Sequence, residues 1–397
     1  VLQAKMSNGK LITLANLPRN KIEALRNTAF YCPSCHKPVM MKVGSRMIPH
    51  FSHYADRGCL LQAGGEGIYH EQGKLLIYNW LNSQHLDVAL EAYLPTIHQR
   101  PDILLTINKK KIAIEYQCAR IPIEEIRNRN QGYLSAGIIP LWILGEKRFS
   151  RKTSTHINID AFTLQFIHQF SVKHPTQIFY FCPHTLTFII VQDIVFTGRS
   201  SAVGKIRVLN MKEATLPHLF TMIRFARQEL FNLWEKEKKR FRTMPSGNAR
   251  GTELAWRRWL YHRGTNSAYL PSVIYLPTTS QYRIQLSPWN WQSRIYLDVI
   301  EKVQVGNTFS SKACEQLLKR QLQPSSLFPL MQSNDNPILS YLSILESLQL
   351  IKQVAPSIYK KQIQMMHYKH VEDAVHGDKQ LLKQLGVQRG QNGSMIF

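Results

Sequence analysis

Two groups of residues have the types and spacing to do chemistry. The first is Cys32-Pro-Ser-Cys35, followed by His50-Phe-Ser-His53 and then Cys59, a spacing of C-x2-C-x14-H-x2-H-x5-C. A Cys-x2-Cys turn presents two thiolates to one ion, and zinc completes its tetrahedron with one further Cys and one His. The spacing favours Cys32, Cys35, His53 and Cys59 as Zn²⁺ ligands, with His50 as the rival for the third place. The competing reading is a reduced, metal-free β-module. A redox role is disfavoured, because no βαβ unit surrounds the pair.

The second group is acidic. Glu66, His70 and Lys74 fall at i, i+4 and i+8, on one face of a helix. Asp102 follows Arg100-Pro101 at the start of a strand, and Glu115-Tyr116-Gln117 ends the next one. Arg129 and Tyr133 share a face of the following helix. Carboxylates on neighbouring strands can converge on one divalent ion, and hard oxygen ligands suit Mg²⁺ or Mn²⁺. Such an ion polarises a phosphate and generates a hydroxide nucleophile. In this reading Asp102 and Glu115 hold the ion and Glu66 adds a carboxylate. His70 ranks below the carboxylates, Gln117 positions water or phosphate, and Lys74 or Arg129 offsets charge. Singly, each piece has a plainer reading: an Asp after Pro is a turn residue or cap, and a Glu at a strand end is solvated. Their order carries the weight.

The elements that must position these groups follow from periodicity. Residues 66–81 read as a helix, 88–94, 102–107 and 111–117 as strands, and 122–136 as a helix with Pro122 at its first turn, where a missing N–H costs little. Residues 138–144 are apolar throughout, the mark of a central strand. Together they predict a mixed sheet flanked by helices. Residues 39–43 and 46–51 read as the hairpin of a zinc ribbon. The fold class is α/β (α+β) and multidomain. Residues 1–62 form a zinc-ribbon-like module, 63–150 the domain carrying the acidic group, 151–250 a mixed and basic helical region, and 251–397 a helical domain. The clearest linker signal is the turn at 245–248, and 323–326 is a second. Helices at 295–303, 311–320 and 337–350, then a hairpin at 351–361, have the rhythm of a winged helix. Residues 386–397 are expected to fray. Cys118, Cys182 and Cys314 read as structural.

Composition narrows the partner. The chain has 397 residues, with 50 Lys and Arg against 26 Asp and Glu, a formal charge of +24. An excess that large points to a polyanion, most often nucleic acid. Hydrophobic residues at 44% exclude a disordered basic tail. No window approaches the ~18 apolar residues of a membrane span, and no secretory h-region opens the chain, so the expected compartment is the cytoplasm. Six cysteines in a chain this long do not make a disulfide scaffold. Residues 224–242 pair an aromatic stripe with a basic face, on which Lys236, Lys239 and Arg240 are candidates for phosphate contact. Arg257 and Arg258, between Trp256 and Trp259, form a second basic cluster, with the tryptophans expected to be at least partly buried. Arg129 and Tyr133 complete the expected DNA track.

Pro101-Asp102 followed by Glu115-x-Gln117 resembles the PD-(D/E)xK nuclease superfamily. Gln117 replaces the usual Lys and carries no charge, so Lys74 is the candidate substitute from the adjacent helix. Several stretches form a specific set: Cys-Pro-Ser-Cys at 32–35, Pro-His-Phe-Ser-His at 49–53, Glu66-x3-His70-x3-Lys74, Gln-Arg-Pro-Asp-Ile at 99–103, Ala-Ile-Glu-Tyr-Gln-Cys at 113–118 and Gly-Ile-Ile-Pro-Leu-Trp-Ile-Leu-Gly at 137–145. The set is similar to the bacterial competence protein CoiA family, most strongly over residues 1–150 and more loosely through Trp289-Asn-Trp-Gln292 onward.

The resemblance implies a zinc-ribbon-like module, a nuclease-like domain and a helical C-terminal domain. It places the nuclease-like site on Glu66, His70, Asp102, Glu115 and Gln117. It further implies a cytoplasmic factor of natural transformation that promotes RecA-dependent recombination of incoming single-stranded DNA. Two function classes follow. One is a Mg²⁺- or Mn²⁺-dependent nuclease acting on single-stranded or branched DNA. The other is a non-catalytic DNA-binding adaptor that keeps a degenerate nuclease fold and recruits a recombinase. The expected partners are DNA and RecA, without membrane; a homo-oligomer is left open.

Overall fold

Residues 1–44, 48–54, 67–245, 247 and 249–387 are described by the structure, a computed structural model. The N-terminal module contains β1 (Gln3–Met6), β2 (Leu11–Thr13), α1 (Arg19–Ala24), β3 (Phe30–Tyr31), β4 (Pro38–Lys42) and β5 (His50–His53). Its strands pair antiparallel in the order β2-β1-β3-β4-β5. The core is small, built on Ala4, Leu14, Ile22, Phe30, Val39 and Phe51. A core of this size gains from a metal staple. β4 and β5 pair where the hairpin was expected, but the second strand is His50–His53 instead of 46–51, of which 46–47 lie outside the described residues.

The central body begins with α2 (Ile68–Asn82), β6 (Asp87–Leu90), β7 (Ile103–Ile107), β8 (Lys110–Gln117), α3 (Ile123–Ser135) and β9 (Ile139–Gly145). It continues with β10 (His156–Asn158), β11 (Gln177–Cys182), β12 (Thr187–Phe196), β13 (Ser201–Asn210) and a short α4 (Leu216–Leu219). The strands form one eight-stranded mixed sheet in the order β10-β13-β12-β11-β9-β8-β7-β6. β9 runs parallel to both β8 and β11, whereas the other neighbours pair antiparallel. Six of its seven residues are buried, which explains its apolar run. A two-residue turn joins β7 to β8, with Asn108 and Lys109 both at positive φ (49° and 65°), as the right-handed twist of a tight hairpin requires. Gly137, at φ 70°, ends α3: the N–H of Ile138 donates to Tyr133 O and that of Gly137 to Leu134 O, turning the chain into β9.

A domain end at residue 150 is corrected by this sheet. β11 pairs with β9 directly, so the boundary would cut through hydrogen-bonded strands. β11 and much of β12 are buried on both faces, so they carry no alternation that would mark them as strands.

The C-terminal body comprises α5 (Arg227–Thr243), α6 (Gly251–Tyr261), α7 (Pro288–Ile295), β14 (Thr308–Ser310), α8 (Ser311–Leu318), α9 (Pro337–Ser347), β15 (Ile351–Ala355), β16 (Ile358–Lys361) and α10 (Val371–Val387). The strands order β14-β16-β15. The helix expected at 295–303 instead starts at Pro288, which suits a first helical position, and passes into a π-turn at Tyr296–Ile300. Trp234, Trp256, Trp291 and Tyr341 are fully enclosed in the core. Among the described residues no helix is long and apolar enough to cross a membrane.

Candidate functional site

The acidic group assembles at the mouth of the β7–β8 hairpin. Ile103 pairs with Ile114, so one step outward in the same register sets Asp102 opposite Glu115. The N–H of Tyr116 donates to Asp102 Oδ2 at 2.9 Å and fixes that carboxylate. α2 packs close on the hairpin because Gly73 has no side chain; a Cβ there would lie 2.1 Å from Tyr116 Cε1. That approach stacks the His70 ring on Tyr116, with centroids 5.7 Å apart. It also brings His70 Nε2 to 3.5 Å from Asp102 Oδ2 and Lys74 Nζ to 3.7 Å from Asp102 Oδ1.

Lys74 is only 1% exposed, and a buried ammonium needs compensating charge. Glu91 Oε1 accepts from it at 2.7 Å and Glu71 Oε1 at 3.2 Å. Glu91 is itself anchored, its Oε2 accepting from the N–H of Leu2 at 3.1 Å and its own N–H donating to Asp102 O at 2.9 Å. Burial raises the Glu91 carboxyl, but the charges of Lys74 and Arg100 outweigh it and hold the group below the ordinary carboxylate range. Sequence reasoning missed Glu91. The available signal was an acid inside the apolar run Val-Ala-Leu-Glu-Ala-Tyr-Leu at 88–94, a residue type almost never buried without a partner.

Glu115 faces α3. Its Oε1 accepts from Arg129 Nη2 and from the Tyr133 hydroxyl. Arg129 also donates to Arg100 O at 3.4 Å and lies over the Trp142 ring at 5.8 Å. Burial pushes the Glu115 carboxyl up to about 7; the negative charge of Asp102 adds to the rise, while Arg129 and Tyr133 oppose it. Arg129 and Tyr133 were expected on DNA, and for Tyr133 this is corrected: it is fully buried, and both side chains turn inward to Glu115. Gln117 is half-buried at the strand end, its Nε2 donating to Ala119 O at 2.8 Å. Glu66 lies outside the described residues.

The donor set fits a divalent cation. Asp102 and Glu115 are close enough for one charge to raise the other's pKa. Glu115 Oε2 has no hydrogen-bond donor among the described residues. An ion between two such carboxylates relieves their repulsion.

The Cys/His group also assembles. The ligand atoms of Cys32, Cys35 and His53 lie within 4.8 Å of one another, with Cys35 Sγ 3.3 Å from His53 Nε2. The turn that gathers the thiols is closed by Cys32 N–H to Lys37 O (2.9 Å) and His36 N–H to Cys32 O (3.0 Å), with His36 at φ 56°. Two thiolates and an imidazole suit zinc. His50 stands on the opposite face of β5, and its Nδ1 bonds Ile48 O at 2.9 Å. Cys59 lies outside the described residues. Cys182 and Cys314 are buried free thiols, and Cys118 is half-buried.

The basic run on α5 divides. Lys236, Lys239 and Arg240 are exposed, whereas Lys238 and Arg242 are buried against Asp378 of α10. On α6, Arg258 is exposed and Arg257 pairs with Glu253 at 2.9 Å. Trp256 is fully buried. Trp259 is half-buried under Arg263 and Arg294, at 4.0 and 4.7 Å.

Comparison with known proteins divides the chain in three. Residues 14–62 match the family model described as Competence protein CoiA, N-terminal domain; 66–223 match its nuclease-like domain; 231–375 match its C-terminal domain. The Competence protein CoiA of Bacillus subtilis (strain 168) is 29% identical over 277 residues, covering 69% of this chain and 73% of that protein. No solved structure gives a significant match. The nuclease-like match ends beyond β13, in agreement with the extent of the sheet.

Proposed function

The chain belongs to the competence protein CoiA family, and from that premise we propose that it is a DNA-processing factor that binds single-stranded or branched DNA and cuts it by metal-assisted phosphodiester hydrolysis. The observation that carries this reading is the pairing of Asp102 and Glu115 at one hairpin mouth, enclosed by α2 and α3. These two, with Glu66, would hold Mg²⁺ or Mn²⁺. Such an ion polarises a phosphate and lowers the pKa of bound water. Lys74, paired with Glu71 and Glu91, would supply beside Asp102 the positive charge that Gln117 lacks. Gln117 keeps its side-chain carbonyl to orient water. Cys32, Cys35 and His53, with Cys59, would hold zinc as a staple of the small N-terminal core. The order α7, β14, α8, α9, β15, β16, with β16 paired between the other two strands, supports reading a winged helix as a second DNA contact. We extend the role, on family membership, to RecA-dependent recombination of incoming DNA in natural transformation.

A second reading is favoured by one observation. Arg129 sits on Glu115, as it would in a non-catalytic adaptor that has given a metal-ligand position to a cation. One assay separates the two. Wild type, Asp102→Ala and Glu115→Ala are incubated with Mn²⁺ and single-stranded, duplex or branched DNA. Cutting by wild type alone, with binding retained by all three, supports the nuclease. Binding without cutting by any of them assigns the adaptor.

A further inference from the structure

A second candidate site lies toward the opposite edge of the sheet. Four strand spacings separate β8 from β13, roughly 19 Å at ~4.8 Å each. There, where β10 and the start of β13 meet α5 and α7, a cavity of about 100 Å³ opens. Two cations stand at its walls: Lys152 and Arg240 are exposed, and neither is paired with a carboxylate among the described residues. One wall is aromatic, formed by Trp289 with Phe241 and Tyr275 against it at 5.8 and 5.1 Å between centroids. Glu237 supplies a fixed carboxylate, held by His156 Nε2 at 3.1 Å and the Tyr275 hydroxyl at 3.3 Å. The last feature is an unmet need. Thr197 is 2% exposed and lines the cavity, yet its Oγ1 has no hydrogen-bond partner among the described residues. A buried hydroxyl left unpaired costs free energy that a ligand can recover.

We propose that this cavity binds one nucleotide of single-stranded DNA, its phosphate between Lys152 and Arg240 and its base against Trp289, with Thr197 and Glu237 at the base edge. Phosphate needs only cations, and every base has a face that stacks on an aromatic ring. The proposal deepens the DNA-binding reading and rests on it for the source of the nucleotide. A free nucleotide has the same chemistry and is distinguished in the test.

Gly198 offers a variant that fills the cavity without changing charge. Its φ is not in the left-handed region, and a Cβ there would sit 3.5 Å from Ser201 Cβ and 3.7 Å from Trp289 Cη2, ordinary contacts with two lining residues. Binding of 3′-labelled dT10 is followed by anisotropy, and binding of dTMP by tryptophan fluorescence. The proteins are wild type, Gly198→Leu and the double variant Lys152→Ala/Arg240→Ala, each checked for an unchanged melting temperature. Both variants are expected to bind dT10 about tenfold more weakly, with dTMP competing against dT10 on wild type. Should Gly198→Leu lose its fold, Thr197→Val carries the same expectation. A Gly198→Leu protein that binds dT10 like wild type overturns the proposal and leaves the DNA-binding reading standing. Wild type that takes dTMP but not dT10 assigns a free-nucleotide pocket and overturns the strand. Wild type that takes neither overturns the proposal and, with it, the single-stranded part of the DNA-binding reading.

Discussion

Two clusters of charged side chains are buried in this protein, and they balance charge in opposite ways. Between α5 and α10, Lys238 Nζ and Arg242 Nη2 share Asp378 Oδ1 at 3.2 and 2.8 Å. Two cations meet one carboxylate there, and the surplus donors go to main-chain carbonyls: Lys238 to Ser272 and Ile274, Arg242 to Ser267, Ala268 and Leu270. Around α2, α3 and the β7–β8 hairpin the balance is reversed. Among the described residues Glu71, Glu91, Asp102 and Glu115 face Lys74 and Arg129, with Arg100 adding its charge beside Glu91. Backbone carbonyls can absorb surplus donors permanently. Surplus carboxylates need a cation, and a cation can come and go. The first cluster is closed, with side chains at 0%, 0% and 3% exposure, whereas Asp102 and Arg129 open to solvent at 13% and 26%. A closed, donor-rich cluster is a lock between helices; an open, acceptor-rich one is a site.

The largest expected effect tests that difference directly. Asp378→Ala leaves two buried cations without a counter-charge, which costs about 3–5 kcal/mol. Asp102→Asn keeps an acceptor for the Tyr116 N–H and removes one of two repelling carboxylates. Its stability should stay within about 1 kcal/mol of wild type while cleavage is lost. Guanidinium unfolding of both variants checks this. Equal losses would make the two clusters alike.

Acid sharpens the comparison next. His168 is fully buried, and burial pushes its imidazole down to about 4. Its Nε2 accepts from the N–H of Trp142 at 3.1 Å, so the folded protein needs the ring neutral. Between pH 4 and the unfolded value near 6.5 the unfolded chain binds the extra proton. The His168 contribution is therefore fully present above about 6.5 and falls by about 3 kcal/mol toward pH 4, whereas Glu115, raised by burial to about 7 in the same sheet, gains stability as the pH falls through this range. Asp378 behaves differently. Burial raises it, but Lys238 and Arg242 outweigh that and hold it below its usual range, so its contribution is lost only under stronger acid. Thermal melts from pH 7 to 4 should show wild type losing stability relative to a His168→Gln variant as the pH falls. A difference between the two that stays constant with pH would take His168 out of this role.

A smaller effect is expected from Gly73→Ala, about 1–3 kcal/mol. The added methyl would collide with a Tyr116 ring pinned by its hydroxyl bond to Phe181 O (3.1 Å) and by the stacked His70. α2 must then retreat and carry His70 and Lys74 away from Asp102. Unfolding and cleavage measured together should both fall. Loss of stability with full cleavage would show that the spacing of α2 does not serve the site.

The acidic site was legible in part, for physical reasons that separate its residues. Asp102 and Glu115 mark strand ends in a chain whose alternation sets the register, so their meeting could be expected. Lys74 follows from helical spacing. Arg129 and Tyr133 were found as one helix face, but i, i+4 spacing does not say whether that face looks to solvent or to a carboxylate. Glu91 had no spacing signal: it lies one residue past β6 at φ 49°. The extent of the sheet was hidden because β9 meets β11 across more than thirty residues of intervening chain, a non-local parallel pairing that no local pattern records. Lys238 and Arg242 could have been separated from their neighbours, since Trp234, Lys238 and Arg242 fall at i, i+4 and i+8 on the face that carries the buried aromatics. Their carboxylate lies on another helix, 136 residues after Arg242.

That separation on α5 gives the smallest effect and the finest test. Lys236 and Lys239 are exposed, and Lys238 between them is buried; all three carry the same charge on one helix. If the exposed face meets phosphate, Lys236→Ala or Lys239→Ala should each lower the salt slope of single-stranded DNA binding by about 0.7 and leave stability unchanged. Lys238→Met removes the same unit charge from a position that phosphate cannot reach. Its salt slope should match wild type while its stability falls, because Asp378 and two carbonyls lose a donor. Salt titration of anisotropy, paired with unfolding, reads both quantities. Equal slopes for the Lys236 and Lys238 variants would mean that DNA responds to the net charge of the chain and not to a face of α5.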